Sequence, residues 1–274
     1  MSYLQPAEFV AKLVDSGESK IYMGRRDTVI RGFMAGAILA LAVVFAVTIT
    51  VKTGNSLLGA ALFPVGFCML YLMSFDLLTG VFMLTPLSWL DGRPGVSIAR
   101  ILENWGLVFV GNLLGALTVA LIMAINFTYG FTSPIDEVGQ TIAHIGEGRT
   151  IGYKEHGFGG WLTLFLHGAL CNWMVSMGVV GAMVSTSATG KIAAMWMPIM
   201  VFFYLGFEHS VVNMFLFPLG IAMGGGFTLG DYIFWNEIPT VLGNIVGGIT
   251  LTGLTLYTTH VRTQPKRQIE AKTA

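Results

Sequence analysis

The segment GFEHSVVNMF, residues 206–215, sets a carboxylate, Glu208, beside an imidazole, His209, within an otherwise apolar run. An imidazole titrates near pH 6.5, so it exchanges a proton near neutrality without strong tuning. Such a group could lend a proton to a passing anion; the alternative is a histidine held by polar packing. A second acid, Asp76, lies in FDLLTG at 75–80, where Thr79 could offer a hydroxyl to the same passage. Asn172, in ALCNWM, carries a carboxamide that is also expensive at membrane depth. An ionisable side chain in hydrocarbon costs roughly 2.5–3.5 kcal/mol on insertion scales unless it faces protein or water. These groups therefore demand a scaffold that shields them.

The composition states what that scaffold is. Of 274 residues, 54% are hydrophobic and 11% charged, against about 25% charged in soluble domains, and mean hydropathy is +0.71. Apolar stretches long enough to cross a bilayer recur at roughly 30–52, 59–85, 101–126, 160–184, 192–222 and 238–260. They do not alternate with period two, so a polytopic all-α membrane protein is expected and a β-barrel is not. No cleavable signal is expected, because a mostly polar lead-in precedes the first apolar run. Residues 1–29 read as this lead-in, with an amphipathic helix over 6–23 (Phe9, Val10, Leu13, Val14) on the membrane interface. Residues 30–260 form the six-span unit, and 261–274 read as a polar cytoplasmic tail. Of the 15 basic residues, 12 fall on the side of the termini and only Lys52, Arg149 and Lys154 on the other, which places both termini in the cytoplasm. A net charge of +0 implies no nucleic-acid partner. Cys68 and Cys171 lie in apolar segments, and no metal spacing, phosphate loop or catalytic nucleophile stands out, so neither cofactor nor enzyme is expected.

A self-match at one fixed offset organises the spans. FMAGAILALA at 33–42 aligns with FLHGALCNWM at 165–174, FDLLTG at 75–80 with FEHSVV at 207–212, GNLLG at 111–115 with GNIVG at 243–247, and Pro86 with Pro218. Three spans is an odd number, so the second copy (about 160–260) enters the membrane opposite to the first (about 30–126), as in transporters whose path runs between inverted repeats. Spans two and five carry the acids and are expected to be broken. Free N–H groups at a break can be capped by a carboxylate, and Asp76 and Glu208 are read as such caps; a continuous helix with a snorkelling acid is the alternative. Asn112 and Asn244, matched in GNxxG, read as helix-contact residues. Phe63, Phe67, Phe202 and Phe215 could form dry constrictions. Lys154, His156 and His167 could line a vestibule that concentrates anions, and Gly224–Gly226 reads as a loop.

GNLLGAL at 111–117, ALCNWMVSMGV at 169–179, GFEHSVVNMFLFPLGI at 206–221 and IPTVLGNIVGG at 238–248 resemble the signature segments of the formate/nitrite transporter family, over about residues 5–262. The resemblance implies six helices with broken second and fifth spans, aquaporin-like in outline, assembled as a homopentamer in the bacterial inner membrane with a pore in each protomer. It implies His209 as the central pore histidine and Asn172 as its polar companion, with Thr79 in the loop at the break of span two. It assigns Phe63, Phe67 and Phe202 to an outer constriction, Leu77 and Leu78 to an inner one, and Glu208 as the acidic neighbour of the histidine. His156, with Lys154 two residues earlier, falls near the family's vestibule lysine. The implied cargo is a small weak-acid anion, such as formate or nitrite, moving with a proton. Hydrosulfide, or a neutral solute or water with the histidine only structural, is the alternative transport reading; an intramembrane acid–base enzyme would use Asp76, Glu208 and His209.

Overall fold

A computed structural model describes residues 3–262, which are almost entirely helical; the only β feature among them is an isolated bridge between Tyr3 and Ser185. All but the first two residues of the expected 261–274 tail lie outside the described residues. Helix α1 is Pro6–Tyr22, α2 Arg25–Thr53, α3 Ser56–Leu62, α4 Pro64–Leu72, α5 Leu78–Leu90 and α6 Ile98–Phe127. The second half runs α7 Glu137–Gly148, α8 Ile151–Lys154, α9 Gly157–Val184, α10 Ala188–Tyr204 and α11 Ser210–Ala222. It ends with α12, Leu229–Arg262, an α-helix interrupted by wider π-helical stretches at Ile233–Glu237, Gly247–Leu254 and Thr258–Arg262. Four helices, α2, α6, α9 and α12, are long and apolar enough to cross a membrane. The second and fifth spans are each built from shorter rods joined by a turn.

The boundaries follow from local chemistry. Pro6 opens α1, where its missing N–H costs nothing. Asn55, Ser97, Asp136 and Ser187 cap α3, α6, α7 and α10 by accepting backbone N–H bonds. Gly54, at φ 65°, ends α2 in the left-handed conformation.

The offset in the sequence is also an offset of elements. Helices α2 and α9 start in the same register, at Arg25 and Gly157, as do α5 and α11, at Leu78 and Ser210. The rods α3–α4, Ser56–Leu72, correspond to α10, and α6 to α12. The correspondence reaches further than the sequence alone indicates, because α1 before α2 is matched by α7–α8 before α9. Each half therefore has a short strap followed by long helix, broken helix and long helix.

The apolar face of α1 (Val10, Leu13, Val14), expected on the membrane interface, is instead buried against protein. Its Gly17 abuts α5 so closely that a Cβ would sit 2.0 Å from the Leu84 carbonyl oxygen. Packing of α2 on α6 is equally tight: a Cβ on Gly115 would lie 2.0 Å from the carbonyl oxygen of Phe33. Small residues let the backbones meet, which in lipid replaces the missing hydrophobic drive between helices.

Candidate functional site

Both breaks are built by one recipe. Helix α4 ends as Phe75 N–H returns to Leu70 O at 2.9 Å, and α10 ends as Phe207 N–H returns to Phe202 O at 3.0 Å. Within these turns Ser74 (φ 58°) and Gly206 (φ 68°), which occupy matching positions of the repeat, take the left-handed conformation that closes this six-residue cap. The chain then turns back and starts α5 and α11.

The exposed groups at these starts are satisfied from the neighbouring long helix. Asn112 Oδ1 accepts the Leu78 N–H at 2.9 Å, and its Nδ2 donates to Asp76 O at 2.9 Å and Gly32 O at 2.8 Å. Asn244 does the same in the other half, accepting from Ser210 N–H at 3.1 Å and donating to Glu208 O at 3.0 Å and Gly168 O at 2.8 Å. The two asparagines are thus the braces of the breaks, a larger role than helix contact. Correspondingly, the carboxylates of Asp76 and Glu208 are not the caps they were expected to be, because the amides already occupy the N–H groups they would have accepted.

The acids instead meet cations on the straps. Asp76 Oδ1 pairs with Lys20 of α1. Glu208 Oε1 lies 3.7 Å from Arg149 Nε, an ion-pair distance but too long for a hydrogen bond, while Oε2 accepts from Asn213 (3.0 Å) and Asn236 (3.1 Å). Asn104 donates to the Lys20 carbonyl at 3.2 Å, and Asn236, its counterpart in the repeat, to the Arg149 carbonyl at 3.0 Å. Each half holds a strap cation against a break acid with the same long-helix amide. Asp76 and Glu208 are 1% and 0% exposed, so each acid needs its cation.

His209 sits at the second break, 1% exposed. Its Nδ1 accepts the Val212 N–H at 3.3 Å as the cap of α11, which leaves the ring proton on Nε2, 3.2 Å from Thr79 Oγ at the start of α5. Phe202 stacks on the imidazole at 5.5 Å between centroids and Phe63 meets Phe202 edge-on at 5.7 Å. The histidine and Thr79 thus come together from opposite halves of the chain.

Two cavities flank this pair and share no lining residue. One, of about 350 Å³, opens beside α7 and is lined by Arg149, His144, Phe202 and Phe207 among others. The other, of about 230 Å³, opens beside α1 and is lined by Lys20, Lys191, Asp76, Phe67, Tyr71 and Leu77. Phe67, expected in one constriction with Phe63 and Phe202, lines the α1-side cavity instead, because α4 carries it a full turn beyond Phe63. Phe215 is fully buried and lines neither. Leu77 lines the α1-side cavity; Leu78 is packed in the core.

Other sequence candidates fall elsewhere. Asn172 does not offer a free amide to the passage: Nδ2 donates to Thr79 O (3.1 Å) and Asn244 O (2.6 Å), tying α9 to α5 and α12. Lys154 pairs with Asp231 at 2.8 Å, His167 lies 3.3 Å from the Tyr153 hydroxyl, and His156 precedes α9; none lines either cavity. The cation at the α7-side mouth is Arg149, which the sequence marks only as one of three basic residues on its side. Asn104, Asn236 and Lys20 also escape sequence reasoning, although the match of Asn104 with Asn236 at the common offset was there to be found.

A family model described as formate/nitrite transporter matches residues 7–258. A protein of Methanothermobacter thermautotrophicus named "Probable formate transporter" is 32% identical, covering 95% of this chain and 98% of its own. Two solved structures share the fold at 24% identity. One, titled "FNT family ion channel", has a TM-score of 0.79 and covers 94% of this chain and 99% of its own. The other, "Pentameric formate channel with formate bound", has a TM-score of 0.69 and covers 85% and 96%.

Proposed function

The chain belongs to the formate/nitrite transporter family, an integral membrane transporter family, and we propose from this and the site geometry that it passes small monovalent weak-acid anions, formate or nitrite foremost, together with a proton. The observation that carries the reading is the Nε2–H of His209 facing Thr79 Oγ where the two helix breaks meet, between two mouths that each present a strap cation. Arg149 on one side and Lys20 with Lys191 on the other draw the anion in by local positive potential. The starts of α5 and α11 add the positive ends of two helix dipoles near the midplane.

An anion cannot pass the Phe63–Phe202 contact as such, since stripping its water in a low-dielectric slit is too costly. The neutral acid can. The Nε2–H donates a hydrogen bond to the anion as it loses water, and a proton drawn from the water of the mouth, the imidazole keeping its own, makes the anion neutral for the crossing; Thr79 Oγ accepts the Nε2 hydrogen when no anion is present. Three crossings per half send the second half through the bilayer in the opposite sense, so the α1 mouth is cytoplasmic and the α7 mouth opposite, with both termini cytoplasmic in the bacterial inner membrane. The assembly is a homopentamer set in lipid, with one pore per chain, the state named for a structural relative.

The test is reconstitution in liposomes. His209→Phe is expected to abolish pH-dependent formate or nitrite flux. Undiminished flux with an unaltered pH profile would sink the reading, and flux of neutral solutes insensitive to a proton gradient would put a passive solute channel in its place.

A further inference from the structure

A second buried carboxyl, Glu237 of α12, lies against the first residue of α11. Ser210 Oγ donates to its Oε1 at 2.5 Å and the Tyr232 hydroxyl to its Oε2 at 2.9 Å. Glu237 is 7% exposed and Ser210 fully buried. No Lys, Arg or His among the described residues lies within ion-pair distance of it. Its partners are two neutral hydroxyls. The counterpart in the first half of the repeat is Trp105, whose Nε1 bonds Thr85 Oγ at 2.9 Å and Val81 O at 3.2 Å, so the fold does not require an acid at this level.

The charges around this corner are already committed. Arg149 faces Glu208 at 3.7 Å, and Lys154 of the α7–α8 strap pairs with Asp231 at 2.8 Å. His167 of α9 meets Tyr153 at 3.3 Å, and His209 is held between Val212 and Thr79. Glu208 has the arginine and two amides, whereas Glu237 has two hydroxyls and no cation, and a buried carboxyl so placed is costly as an anion unless it can bind a proton.

Protonation changes what Glu237 asks of Ser210. A carboxylate only accepts, whereas a carboxylic acid must place one O–H, and turning that O–H to Ser210 reverses the hydrogen bond at the residue adjoining His209. We propose that Glu237 is a proton-binding positioning residue: its charge sets the Ser210 hydroxyl and hence the start of α11 that carries the pore imidazole, giving transport a second pH-dependent limb. The inference rests on the proton-coupled anion flux proposed above.

The experiment compares full-length wild type, Glu237→Gln and Glu237→Asp in liposomes, following formate flux over roughly pH 5 to 8, with pH-difference infrared spectra of the same proteins without substrate. Glu237→Gln is expected to fold and transport with one limb of the pH profile flattened, and to lose a protonated-carboxyl band present in the wild type. Glu237→Asp is expected to restore the limb at a displaced pH. A Gln profile that overlays the wild type, or a wild-type spectrum without that band, overturns the inference. Wild-type flux indifferent to pH overturns instead the reading beneath it, and the infrared band then decides the proton on Glu237 by itself.

Discussion

At the scale of single residues, the arrangement around His209 leaves Nε2 as the ring nitrogen that faces Thr79. Because Nδ1 is held by the Val212 N–H, a second ring proton requires breaking the α11 cap. Thr79→Val leaves Nε2–H without its acceptor, at about 1–3 kcal/mol for a buried unpaired donor. Formate flux is therefore expected to fall by about tenfold or more, tenfold corresponding to about 1.4 kcal/mol, while assembly persists; initial-rate flux assays check it. Arg149→Gln is expected to lower flux several-fold at low anion concentration and to weaken its dependence on ionic strength, as screening of one fixed charge requires. His209, Thr79, Glu208 and Asp76 were legible as types, since polar and titratable groups in apolar runs announce themselves. Their partners were not. Arg149 reaches Glu208 only because α7 and α8 fold back over the mouth, and the capping expected of the acids is done by Asn112 and Asn244 from helices distant in sequence.

Among elements, the breaks are defined by backbone chemistry that spacing could locate but not resolve. The fixed-offset match placed both interruptions correctly, because Phe75 and Phe207 share a register. It could not show that Ser74 adopts φ 58° where its counterpart is Gly206. A left-handed non-glycine residue costs about 1–2 kcal/mol, so Ser74→Gly is expected to stabilise the protein by about 1 kcal/mol, read as a rise in thermal midpoint in detergent. Asn112→Leu and Asn244→Leu each strand buried backbone groups and are expected to cost at least about 2–3 kcal/mol, with comparable losses from the two halves in the same assay. The two braces differ in one respect: Asn112 bonds Gly32 but Asn244 bonds Gly168, one helical turn beyond the matching position. The π-helical stretches of α12, absent from α6, accompany this slip.

For the whole molecule, composition was the strongest signal, and six spans emerge from hydropathy alone. The straps were harder to read, because an amphipathic run does not reveal whether lipid or protein will cover it; α1 is covered by α5. A pentamer predicts a detergent-solubilised particle holding five copies of the 29.6 kDa chain, which mass measurement after subtraction of bound detergent checks. The link from Thr128 to Asp136 is the only covalent tie between two complete sets of strap and spans, yet Thr79 and His209 come from opposite sets. Two separately translated polypeptides, one stopping and the other beginning in that link, should find each other in the bilayer and regain passage, while either alone stays shut.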